Sequence, residues 1–422
     1  MTPKLYLNIS GSYSNYFSYA ERSTSGGFTR GDGGSGSISR SNIEDNNLVD
    51  ISARGDFEYK LTENNQIEFG TQFSQYDINY SYTQNDTFKV IDRSTDGQLS
   101  SGYLQDKISF AKNKLTVTPG VRYNYFTETG KSYYEPRLNF MYKLSKNINL
   151  KGATGRYYQF AKRVIREDIT QGSRDFWVLS DNNNLPVSGS DQHILGISYD
   201  MGDYLFDIET FYKKLYNVTE YSLRFHPVRE RGRDMSMEYS ENFFTGKGIA
   251  KGIDVLAQKK YGNFNGWLAY TWSQVTNNIE EFGDFDFYAA HDVTHEFKAT
   301  LMYKWKRWDL GTNWIYTTGR PYTSPEGYYE LTLLDGTTPG YINATVKNGK
   351  RFPSYHRLDM SATYHFQIHR KNPATLGLSL FNIYNRSNLW YSKYEIVDNK
   401  VMVTPVYYLG ITPNINFTIK LR

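Results

Sequence analysis

The chain has 422 residues, no cysteine and a formal net charge of +4, which leaves no disulfide framework, thiol nucleophile or Cys-based metal site and gives no case for nucleic acid. Mean hydropathy is −0.63, and no run of about 18 apolar residues occurs, so a helical membrane span is excluded. Aromatics are in surplus: Tyr, Phe and Trp make up 17% of the sequence, more than turns and a soluble core require.

In chain order, Met1-Thr2-Pro3-Lys4 runs straight into a strand pattern at Leu5, with neither a basic nor an apolar leader segment. Tyr19 to Asn47 reads as a long loop that holds the Gly-rich stretch Gly26 to Ser39. A short polar join follows at Thr62-Glu63-Asn64-Asn65. Others fall at Ser145-Lys146-Asn147, Gly202-Asp203, Gly262-Asn263 and Lys306-Arg307, alternating with long joins such as Ala161 to Asp191 and Gly319 to Pro353. Tight turns on one side and long loops on the other define a transmembrane β-barrel of the bacterial outer membrane.

The strand patterns agree. In His295 to Trp305, Phe297, Ala299, Leu301, Tyr303 and Trp305 alternate with mostly polar residues, and Ile411 to Leu421 repeats the pattern. About sixteen such segments reach the length of about ten residues that a tilted membrane strand needs. Soluble sheets use shorter strands, averaging about five or six residues. No linker divides the chain, so residues 1–422 are expected to form one domain, an all-β, antiparallel, up-and-down transmembrane barrel. Gly202, Gly262 and Lys306 should share one rim. Leu358, Met360, Tyr364, Ile415, Phe417 and Ile419 should face away from the lumen, and Arg357, Asp359, Asn414 and Asn416 into it. The lumen is expected to be empty.

Several segments resemble the barrel of TonB-dependent outer-membrane receptors, especially those of Bacteroidetes type. They are Pro119-Gly120-Val121-Arg122-Tyr123, Glu135-Pro136-Arg137, Gly246 to Asp254, Gly266 to Ser273, Asp292 to Phe297, Tyr355 to Ser361 and Phe381 to Asn388, in the family's order. The resemblance implies a receptor that takes up a scarce nutrient such as a siderophore, cobalamin or an oligosaccharide. It also implies a signal peptide, a plug, an energy-coupling periplasmic partner that acts through the plug, and about 22 strands. The chain is therefore expected to be the later barrel portion of such a receptor, a fragment without signal peptide or plug. Its first and last strands would leave a gap or close a smaller barrel. The alternatives are a passive porin-like channel and a surface adhesin. The outer membrane with its lipid and lipopolysaccharide is the expected setting.

Candidate chemistry is sparse. His291 and His295 have metal-like spacing, but on a strand their rings would stand about 13 Å apart. Asp181 to Asn184 reads as a turn rather than a calcium loop. No cofactor, metal site or catalytic set is called, and the chain does not read as an enzyme. Two basic stretches remain. Lys162, Arg163, Arg166 and Arg174 crowd one long loop, with Phe176 and Trp177 beside them, and Arg224, Arg229, Arg231 and Arg233 crowd another. Arginine forks match carboxylate and phosphate, so Arg163, Arg166, Arg174, Arg229, Arg231 and Arg233 are candidates for an anionic ligand. Phe176 and Trp177 are candidates for stacking. Interspersed acids such as Glu167, Asp175 and Glu230 also allow a plain solvated loop.

Overall fold

The computed structural model describes residues 4–29, 35–85, 87–167, 174–229, 235–283, 285–330, 332, 340–344, 346–368, 372–397 and 400–420. Nineteen strands join one sheet, and sixteen of them form a sequential antiparallel meander. These are β1 (Leu5–Thr29), β2 (Ser35–Thr62), β3 (Asn65–Gln84), β4 (Phe88–Phe110), β5 (Leu115–Phe126), β6 (Lys131–Lys143), β7 (Ile148–Gln159) and β8 (Ser188–Asp200). There follow β9 (Tyr204–Arg229), β10 (Met235–Lys259), β11 (Phe264–Asn278), β12 (His295–Trp305), β13 (Trp308–Thr317), β14 (Tyr355–Ile368), β15 (Asn372–Phe381) and β16 (Thr412–Ile419). The other three are short pieces at 161–166, 174–179 and 287–288.

Two neighbouring registers show why this sheet belongs in a membrane. Leu150, Ile197, Ile208, Val255, Tyr270 and Phe297 are successive partners across β7 to β12. One residue along, Lys151, Gly196, Glu209, Asp254, Thr271 and Glu296 are successive partners on the other face. The apolar row stays open to the surroundings, with Ile197, Ile208 and Tyr270 at 43%, 45% and 37% exposure, as a lipid-facing belt must. The polar row is laced together: Lys151 pairs with Asp207 at 2.9 Å and with Glu209, and Thr271 donates to Asp254 at 2.5 Å. The apolar row extends from Phe110, beside a short turn, to Tyr316, near the opposite end of β13. That drift is the stagger of tilted strands.

The expected rim holds. Asp200 N–H donates to Asn147 O, Lys260 to Asp203, Lys304 to Asn263 and His365 to Arg307, all within 2.8 Å, so each short turn bonds its neighbour at one end. Gly202 and Gly262 have φ of 76° and 100°, which suits glycine there. The expected faces hold as well. Tyr364 partners Leu376, which partners Phe417, and Leu378 partners Ile415. Arg357 and Asp359, on the other face, pair at 3.0 Å. Among the described residues β1 pairs only with β2, and β16 only with β15, so the meander is open between its first and last strands.

Three expectations need correction. Tyr19 to Asn47 is mostly not loop: β1 and β2 pair without a shift from Leu5↔Tyr59 to Thr29↔Ser35. The basic stretch around Arg224 and Arg229 likewise lies within β9, which pairs with β10 up to Arg229↔Met235 with one bulge at Asn217. Above the lipid a strand needs no apolar face, so pairing continues where period-two patterning stops. Nor is the lumen empty, because the connection after β7 folds back inside its mouth.

β3 marks the change of solvent. In its lower half Phe69 and Phe73 are exposed on the outer face, and Gln66, Glu68 and Gln72 lie on the inner one. In its upper half the same inner face carries Ile78, Tyr80 and Tyr82, at 2%, 3% and 2% exposure, while Asp77, Asn79 and Ser81 face out. The ladder to β2 runs through both halves unshifted, from Asn42↔Gln84 to Lys60↔Gln66.

Ile208→Arg, near the middle of the belt, should cost about 2–4 kcal/mol, and lumen-side Ser198→Arg should cost about 1 kcal/mol or less. Urea titration of the vesicle-inserted chain measures both. Equal costs would put the belt on the wrong face.

Candidate functional site

The mouth is organised by a hairpin of strands Ala161–Arg166 and Arg174–Leu179. Its apolar side chains meet the inner faces of β3 and β9. Val164, Phe176 and Val178 are buried together with Tyr80, Tyr82 and Tyr221. The Phe176 ring stacks on Tyr80 at 3.9 Å, and Tyr221 meets its edge at 5.0 Å. Arg166 pairs with Glu44 of β2 and lies 4.5 Å from the Tyr82 ring centre. Trp177 N–H donates to Asn46 Oδ1 at 3.0 Å. The alternation within 161–166 and 174–179 thus serves a second, internal layer.

A strap from the connection between β13 and β14 closes over this hairpin. Lys347 reaches Glu167 at 2.8 Å and Glu220 of β9 at 3.0 Å. Asn348, 2% exposed, donates to Tyr288 O at 2.8 Å. Arg351 pairs with the fully buried Asp292 and donates to Gly319 O at 3.0 Å. Burial pushes the Glu220 carboxyl above its ordinary value despite Lys347. Burial also works against the Lys347 ammonium, but Glu220 and Glu167 outweigh it and hold its pKa above the ordinary lysine value.

Two cavities flank these elements. The first, about 710 Å³, is walled by Tyr322, Phe352, Tyr355, Trp390, Tyr391 and Tyr408, with Arg174 and Arg320 also lining it. Tyr322 stacks on Phe352 at 4.1 Å, and Trp390 on Tyr408 at 5.5 Å. The second, about 720 Å³, lies between the hairpin and the inner faces of β7 to β9. Arg163 and Trp177 line it beside Lys162, Tyr157 and Lys213.

The sequence candidates therefore divide. Arg163 and Trp177 line the second cavity and Arg174 the first. Arg163 also pairs with Asp175 at 3.1 Å, and Arg174 lies 3.9 Å from Glu44. Arg166 is an internal tie and Phe176 a packing residue. The Arg229 side chain, Arg231 and Arg233 lie outside the described residues. Asp181 makes the expected turn, accepting from Asn183 and Leu185 N–H at 2.8 and 2.9 Å. In the His291 to His295 segment the working residue is the one between: Asp292 accepts from Val275 N–H at 2.6 Å and pairs with Arg351. His295 instead sits 2.9 Å from Tyr270 Oη. Sequence reasoning missed the roles of Lys347, Glu220 and Asp292, because nothing local marks which charge will be buried by a partner far along the chain, 59 residues away for Asp292 and Arg351.

A tilted, lipid-belted meander with ligand-sized cavities at its long-loop end defines an outer-membrane β-barrel. The family model described as TonB dependent receptor-like, beta-barrel, matches residues 3–385, and the chain belongs to that family. Solved structures agree on the fold. The ferric enterobactin receptor PfeA of Pseudomonas aeruginosa, as a mutant with enterobactin, is 13% identical with a TM-score of 0.61, covering 99% of this chain and 68% of that one. The ferric citrate transporter FecA is 14% identical with a TM-score of 0.58, covering 99% and 59%. BauA, the ferric preacinetobactin receptor of Acinetobacter baumannii, is 14% identical with a TM-score of 0.59, covering 99% and 60%. Against another PfeA mutant structure the chain spans 63% of the receptor's length. No curated protein matches the sequence.

Phe176→Ala should cost about 3–5 kcal/mol by opening a cavity in the hairpin's core. Limited proteolysis should then cut the 161–187 region first, and a hairpin as resistant as wild type would contradict this packing role. Lys347→Met should loosen the strap by about 3 kcal/mol, since it leaves the largely buried Glu220 and the partly buried Glu167 without their cation. A lysine raised above its unfolded pKa stabilises at lower pH and loses that contribution as pH rises through the folded value. Strap protection in hydrogen exchange should accordingly persist at neutral pH and fall above the ordinary lysine range. Protection in Lys347→Met that equals wild type would exclude the tie.

Proposed function

We propose that this barrel is the wall and outer seat of a receptor that takes up a scarce small nutrient across the outer membrane. The supporting observation is the first cavity, where two stacked aromatic pairs at the long-loop end offer flat apolar faces beside arginines. Such a seat suits a siderophore-like, corrin or sugar-containing ligand, and the neighbours of like fold include ferric enterobactin, ferric citrate and ferric preacinetobactin receptors. Energised release would use the plug and periplasmic coupling partner that the family resemblance implies. The belt would contact lipid, and exposed basic residues at the outer end would meet lipopolysaccharide phosphates. The reading is transport rather than catalysis.

Titration of intrinsic Trp fluorescence with ferric enterobactin, ferric citrate, cyanocobalamin and a maltooligosaccharide tests the seat. At least one should saturate, and Trp390→Ala or Phe352→Ala should weaken it about tenfold, as loss of an aromatic anchor does. Silence across the panel, together with free swelling of liposomes bearing the chain, would favour a passive channel.

A further inference from the structure

The second cavity holds a charge with no counter-ion among the described residues. Lys162 is 6% exposed. Its ammonium donates to Pro186 O at 2.6 Å and to Thr219 Oγ1 at 3.0 Å, both neutral acceptors. An ammonium has three donors, so one remains. Burying a cation without an anion is unfavourable, and such ions are normally paired. The charged neighbours are otherwise engaged. Glu220 is held by Lys347, and Arg163 pairs with Asp175. Lys213, on the same wall, lies 5.4 Å from the Phe211 ring and meets no carboxylate among the described residues. The wall also presents Tyr157, Ser190 and Gln192, all hydrogen-bond donors.

We propose that the second cavity is an anion seat, in which a carboxylate or phosphate oxygen of a small ligand takes the free donor of Lys162, with Lys213 as the second cation. This rests on the reading of the mouth as a ligand-uptake site, and it assigns the ligand an anionic group apart from the part held by the aromatic cavity. The local electrostatics support it. Burial pushes Lys162 down to about 8, with Asp181 opposing only in part. Burial likewise pushes the His291 imidazole, which also lines the cavity, below its ordinary value, so it adds little positive charge at neutral pH. An anion beside Lys162 would restore its charge.

Trp177 lines the same cavity. The difference in emission between the full chain and Trp177→Phe, both folded in detergent micelles, therefore reports occupancy. Inorganic phosphate and malonate serve as probes, so a failed uptake assay does not bear on the result. Either probe should give a saturable response at pH 7; malonate alone would assign a carboxylate, and phosphate alone a phosphate. Lys162→Met should weaken binding about tenfold or more, as loss of a charge-assisted hydrogen bond does. Malonate keeps its charge in alkali, so its affinity for wild type should fall about tenfold between pH 7 and 9.5 as Lys162 discharges. This profile needs no variant, and Lys213→Met gives a second one should Lys162→Met not fold. No saturable response, equal binding by wild type and Lys162→Met, or a flat malonate profile would overturn the proposal.

Discussion

Every backbone N–H and C=O within the lipid must find a partner, and between β1 and β16 the antiparallel ladder supplies it, leaving among the described residues the outer edges of those two strands open. An unpaired group in hydrocarbon costs several kcal/mol, so the run of neighbours from β1 to β16 is the condition for all else. It fixes the alternation of faces, since a slip of one residue would send Lys151 and Glu209 into lipid. It fixes the rim, because each short turn is bonded to the next through main-chain atoms. It also allows strands to project well above the membrane, where β1 to β4, β9 and β10 become a scaffold for internal packing.

The change of solvent along a strand explains the mouth. Below it, lipid selects apolar residues outside and water selects polar ones inside. Above it, water lies outside and the hairpin inside, so Ile78, Tyr80 and Tyr82 are buried where Gln66 and Glu68 are not. The hairpin brings its own charges, and most of those described are matched: Arg166 and Arg174 to Glu44, Glu167 to Lys347, Asp175 to Arg163. Lys162 stands apart, with only neutral acceptors among the described residues.

What the sequence discloses follows from which forces are local. Period-two alternation is local, and it sufficed for the belt, the rim and the facing of Leu358, Met360, Arg357 and Asp359. Extension of the strands through the Gly-rich and basic stretches was hidden, because above lipid either face can be polar and the pattern that betrays a strand is lost. The hairpin looked like loop for a related reason, as its apolar face meets Tyr80 and Tyr221 from distant strands rather than lipid. Of the site, Arg163, Arg174 and Trp177 were recognisable as basic or aromatic residues in a long connection. The roles of Arg166 and Phe176 were not, since burial is decided by partners such as Glu44 and Tyr80.

Ile165 and Ala290 line both cavities. The two compartments thus share a partition, thin enough for one side chain to touch both volumes, and the strap leans on it through Glu167. A guest that pressed this partition from one side would change the room on the other. Linkage then makes the effect mutual: whatever occupancy of the aromatic chamber does to the Lys162 chamber, the reverse must follow with the same coupling free energy. The mouth would then act as a pair of communicating vessels, in which the fit of one part of a ligand sets the fit of the rest.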